Sequence, residues 1–178
     1  MENQNYPAWK HAFTYGIYLG VALIIISMLF YVLDLFIYKW TGYVGYALVL
    51  GFIIIASVSY RDKRLNGLIS YGQSFSVGFF TGLVASIIAG IFGYFFITYV
   101  GDDYKAMMLE LTEERSLKAN PDISDAELDM ALKIAEKLMT PWWLGIITFF
   151  SNLFFSVIFA LIISIFVKKE DNSLEVTS

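Results

Sequence analysis

Long runs without a single charge constrain this chain more than any other feature. No charged residue falls between His11 and Asp34, and the same holds for Thr41–Tyr60, Leu65–Gly101 and Leu138–Val167. Roughly 20 apolar helical residues cross a hydrocarbon core about 30 Å thick, and each run reaches that length. Hydrocarbon offers no water to backbone N–H and C=O groups, so a spanning segment must be a helix or part of a closed barrel. These runs show neither the alternation nor the turn signals of a barrel. The expected fold is all-α: a polytopic membrane protein with four transmembrane helices near Phe13–Leu33, Val44–Tyr60, Ser74–Tyr99 and Trp142–Val167. The first is too long for the apolar core of a signal peptide, and no small-residue cleavage site follows it. All four tryptophans, Trp9, Trp40, Trp142 and Trp143, fall at the expected membrane–water boundaries, where an amphipathic ring is most stable.

Orientation is read from Lys and Arg close to the span ends. Four spans put the N-terminus, the second loop and the C-terminus on one side, with Lys10, the cluster Arg61, Lys63 and Arg64, then Lys168 and Lys169. The other side has Lys39 in a short loop and a long segment with Lys105, Arg115, Lys118, Lys133 and Lys137 among ten acids. The totals are equal, six and six, so density decides: the second-loop cluster abuts two spans, whereas long loops weigh little. Both termini are expected in the cytoplasm. The resulting division is residues 1–100 (three spans and short loops), 101–140 (an acidic extracytoplasmic helical segment), 141–168 (the fourth span) and 169–178 (a cytoplasmic polar tail).

The acidic segment reads as a helical hairpin. Asp102 and Asp103 suit the N-terminus of a first helix, favoured by its dipole, with Tyr104, Met107, Met108 and Leu111 as an apolar stripe. "ANPD" breaks the chain at Pro121. Ser124 and Glu127 then form a capping box, with Ile123 and Leu128 placed as a hydrophobic staple. Leu128, Ala131, Leu132, Ile134, Ala135, Leu138 and Met139 share one face of this second helix, and Asp125, Asp129, Lys133, Glu136 and Lys137 the other. The helix ends before Thr140-Pro141, where Thr can cap the next helix and Pro fits its first turn. The apolar faces need cover, either from each other and the span ends or from a membrane-protein partner.

Within the spans, Ser74, Gly78, Gly82, Ser86 and Gly90 recur every fourth residue in the third, and Gly16 and Gly20 repeat the spacing in the first. Small residues at this spacing let helix backbones approach closely, which drives packing where water cannot. Ser156, Ala160 and Ser164 do so more weakly in the fourth span. Packing within the chain is preferred, with packing between copies, hence a homo-oligomer, the alternative. Ionisable residues inside a membrane mark ion pathways, and here Asp34 is the one candidate, near the outer end of the first span where Lys39 could pair with it. Asn152 lies deep in the fourth span, able to hydrogen-bond to a neighbouring helix. His11, the only histidine, sits beside Lys10 at the inner boundary.

Chemistry is thin. Without cysteine there are no disulfides, thiolate metal sites or cysteine nucleophiles. "GQSFS" lacks the second Gly of a nucleophile elbow, the acids of Asp122–Asp129 lack the spacing of a calcium loop, and no P-loop or zinc motif is present. No catalytic residue, cofactor or metal is expected, and the acidic balance and membrane fraction argue against nucleic acid. The layout resembles a known family. Four spans, a basic second loop leading into "NGLISYGQSFSVGF" (Asn66–Phe79) and a polar helical segment ending in "TPWW" are similar to the bacterial family called domain of unknown function 4199, over roughly Trp9–Lys168. That resemblance implies a bacterial inner membrane and carries no assigned activity. A non-enzymatic accessory or scaffold protein is the preferred reading. A transporter or carrier-lipid-handling protein without ion coupling is the alternative. An enzyme is disfavoured, because acid–base work needs His, Asp or Glu at the site.

Overall fold

The computed structural model describes residues 7–38 and 40–169, apart from the side chain of Ile37. Its helices are α1 (Ala8–Val32), α2 (Trp40–Arg64), α3 (Tyr71–Ala119), α4 (Asp125–Leu138) and α5 (Pro141–Val167). Four of them, α1, α2, α3 and α5, are long and apolar enough to cross a membrane, as the charge-free runs require. Among the described residues the regular structure is otherwise limited to a 3-10 turn, Leu35–Ile37, and one isolated antiparallel bridge, Ile69 with Lys169.

Local chemistry sets the connections. After α1 the chain reverses through Asp34 in the left-handed region at φ 52°, a conformation that Asp tolerates better than most residues. Phe30 there packs edge-on against Phe36 and Trp40. Helix α2 ends with Asn66 in the left-handed region at φ 53°, and the Gly67 N–H returns 2.9 Å to the Arg61 carbonyl. Helix α3 opens on a capping box. The Ser70 hydroxyl accepts from the Gln73 N–H at 3.3 Å, and the Gln73 side chain accepts from the Ser70 N–H at 3.0 Å.

The expected helix start at Asp102 does not occur. Helix α3 runs for 49 residues from the apolar third span to Ala119. Nothing between Tyr99 and Ala119 withdraws a backbone N–H: there is no proline, and Gly101 alone costs only about 1 kcal/mol in a helix interior. Acids at 102 and 103 therefore sit mid-helix. The second expected helix does form. Helix α4 starts at Ser124 with both halves of the capping box made.

The chain divides into two compact units, one with residues up to Ile88 and from Phe150 onward, the other Ala89–Phe149. The first has a core of Leu19, Val49, Ile53, Val77 and Ile163 from all four apolar helices. In the second, Tyr94 meets Trp142 edge-on and Phe96 meets Tyr104. None of the residues of α4 is fully buried. Leu128, Ala131, Leu132 and Ala135 are half-buried, while Met130, Ile134 and Leu138 are exposed.

Candidate functional site

The small-residue ladder lies at the closest helix contacts. All of Ser74, Gly78, Gly82, Ser86 and Gly90 are buried, as are Gly16 and Gly20. A methyl added at Gly78 would stand 2.8 Å from Ala160 Cβ and 2.9 Å from Ile53, and one at Gly82 would overlap Ser156. Helices α3 and α5 are thus antiparallel with 78 against 160 and 82 against 156. The same register sets Ser74 level with Ser164, and Ser86 level with Asn152, which is half-exposed. Gly16 faces Thr81 and Val84, and Gly20 faces Ile88, so α1 runs parallel to α3. In the other unit, Gly90 touches the Gly145 carbonyl and Phe149, and Gly93 meets Thr148. Gly93 and Gly145 are off the four-residue spacing and were not singled out from sequence.

Polar groups gather at one end of the first unit. The Tyr15 hydroxyl donates to Ser59 Oγ at 2.8 Å, and the Thr81 hydroxyl reaches the Ala12 carbonyl at 3.4 Å. His11 is only 9% exposed. Its ring lies 4.9 Å from that of Tyr15 and 5.3 Å from that of Tyr60, and it hydrogen-bonds to the Ala56 carbonyl. It is turned inward, between α1 and α2. Three buried side-chain atoms here lack a partner: His11 Nε2, Ser57 Oγ and Ser74 Oγ. Ser164 and Ser86, by contrast, donate to the carbonyls four residues back, Ala160 and Gly82.

The basic residues rim this same end. Arg61, Lys63 and Arg64 form the last turn of α2. Lys168 and Lys169 follow α5, and the two backbone bonds between Ile69 and Lys169, each 2.9 Å, tie that end to the loop before α3. Arg61 is turned to Asp62, 2.7 Å away. Loop and C-terminal end therefore share a side, and the contacts of His11 add the start of α1. Asp34 is exposed at the far end of α1, and its expected partner Lys39 is outside the described residues, as is the tail beyond Lys169. Among the described residues no group of three or more His, Cys, Asp or Glu could hold a metal ion.

A family model described as "Protein of unknown function (DUF4199)" matches residues 14–169. The chain belongs to the DUF4199 family. The matched segment takes in all four apolar helices except the first turns of α1, and the residues of the polar end except Lys10, His11 and Ala12. No curated protein and no solved structure matches the chain. Family membership thus brings no catalytic or binding residue with it, and function has to be argued from the geometry.

Proposed function

We propose that this DUF4199 protein is a non-enzymatic accessory or scaffold subunit of a bacterial envelope process. In this reading it is held in the inner membrane with both termini cytoplasmic and residues 101–140 outside. One observation carries it: α3 passes from an apolar span into a charged, polar half without a break. An unbroken helix transmits position and orientation, which suits a platform better than a tether. Helix α4 offers this platform an apolar ridge, with Met130 63% and Ile134 55% exposed, and exposed apolar surface of this kind marks interaction sites. The expected spans hold no paired carboxylates for acid–base work. A photo-crosslinking residue at Ile134, used in native membranes, tests the reading. It should yield one discrete adduct with another envelope protein. Adducts with lipid alone, or only with a second copy, would reject the accessory role.

The alternative, a small transporter or carrier-lipid-handling protein without ion coupling, draws on the unpartnered polar atoms His11 Nε2, Ser57 Oγ and Ser74 Oγ. Buried polar groups left unsatisfied in an apolar setting often mark a missing ligand or water.

A further inference from the structure

Of the three unpartnered atoms, two have an easy remedy. The hydroxyls of Ser57 and Ser74 can rotate to the carbonyl four residues back in their own helix, as Ser86 and Ser164 do. A histidine ring cannot. One nitrogen of His11 is engaged by the Ala56 carbonyl, so the other points away from it, buried and without a partner. An apolar side chain would fill the same space beside Tyr15 and Tyr60 without stranding a polar atom.

The surroundings specify what would satisfy it. Lys63 and Arg64, on the turn of α2 that follows Tyr60, are close enough to His11 to act on it electrostatically. Lys10 precedes it on α1, and Lys169 stands within electrostatic reach of Asp62. Among the described residues the acid of this rim is Asp62, which accepts from Arg61 at 2.7 and 3.3 Å. A cation is repelled by such a setting and an anion is drawn to it. The preference of basic residues for one membrane face explains the lysines and arginines, but it does not explain a buried imidazole beneath them. We propose that this end of the first unit binds a phosphate group. His11 forms the floor, and Lys63 and Arg64 form the rim. Phosphate oxygens accept several charge-assisted hydrogen bonds at once, which Lys63 and Arg64 would supply. With its other nitrogen donating to the Ala56 carbonyl, Nε2 accepts a hydrogen bond from the P–OH of a monoprotonated phosphate. Nε2 is buried in the structure, so admitting the ligand requires side-chain movement around it. The phosphate could belong to a lipid headgroup or be free in solution. The proposal stands apart from the accessory role, since neither needs the other.

Purified full-length protein in mild detergent, titrated with phosphatidic acid, phosphatidylcholine or inorganic phosphate and followed by native mass spectrometry and thermal melting, tests it. Phosphatidic acid should bind at least about tenfold tighter than phosphatidylcholine, since one charge-assisted hydrogen bond is worth about that factor. Inorganic phosphate giving the same thermal shift would assign a soluble source, and no such shift a lipid one. Lys63→Gln with Arg64→Gln, and separately His11→Gln, should each weaken phosphatidic acid binding by about tenfold. Equal binding of the two lipids would overturn the proposal. So would wild-type affinity in either variant. If His11→Gln fails to fold, the rim variant decides alone.

Discussion

Gly82 shows how little room separates α3 from α5. A methyl group there overlaps Ser156, whereas nothing stands within 4 Å of a methyl at Gly51 in α2. Overpacking of a close contact typically costs about 1–3 kcal/mol, and Gly in an open helix interior is about 0.5–1 kcal/mol less stable than Ala. Gly82→Ala should therefore lower the melting temperature in detergent and Gly51→Ala should raise it. Ser156→Gly in the Gly82→Ala background should restore part of the loss, a coupling that a double-mutant cycle measures. Equal melting of the two glycine variants would contradict the packing register. Glu127 makes a second residue-level test. Hydrogen bonds from the Ser124 hydroxyl at 2.8 Å and its N–H at 3.1 Å hold the Glu127 carboxyl below the usual carboxylate range. A depressed value means the support is present above the unfolded value near about 4.3, and is lost as pH falls through the folded one. An NMR titration of Glu127 should give a midpoint below that of a free glutamate, rising in Ser124→Ala. No change between the two proteins would show the box to be unmade in solution.

At the level of elements, α4 carries the clearest prediction. Leu132 is half-buried and Glu136 exposed, so Leu132→Asp should speed hydrogen exchange of the amides from Leu128 to Leu138, while Glu136→Lys should leave them protected. Exchange that is fast throughout this stretch in the unaltered protein would mean the helix forms only on a partner. The start of α4 was readable because capping is local: Ser124 and Glu127 lie three residues apart and need no tertiary help. The cap of α3 is equally local, Ser70 with Gln73, but Gln73 also lies inside "GQSFS", which resembles part of a nucleophile elbow. The continuity of α3 past Gly101 was missed because two acids at a helix start and two acids in a helix interior look alike in sequence. Thr140 joins the two helices: its carbonyl accepts from the Leu144 N–H at 2.9 Å at the start of α5. Its hydroxyl donates 3.0 Å back to the Lys137 carbonyl, closing α4, while Pro141 opens α5 as expected. The Ile69–Lys169 bridge joins residues far apart in sequence that carry no pairing signal, and the inward turn of His11 depends on Ala56 and Tyr60, which periodicity on α1 cannot see.

For the molecule as a whole, the four spans were legible because hydrocarbon imposes length and charge limits that sequence displays directly. Sidedness rests on a density of charge, with equal totals of Lys and Arg on the two faces. The contacts of the first unit put the start of α1, the loop before α3 and the end of α5 on one side, whichever way the protein faces. The chain has no cysteine, so single introduced thiols report on their own. Asn120→Cys and Leu68→Cys, both at exposed positions, can be labelled in intact cells with a membrane-impermeant maleimide. The account predicts that Asn120→Cys is labelled from outside and that Leu68→Cys reacts only after the membrane is opened. Labelling of Leu68→Cys in intact cells, with Asn120→Cys protected, would contradict it.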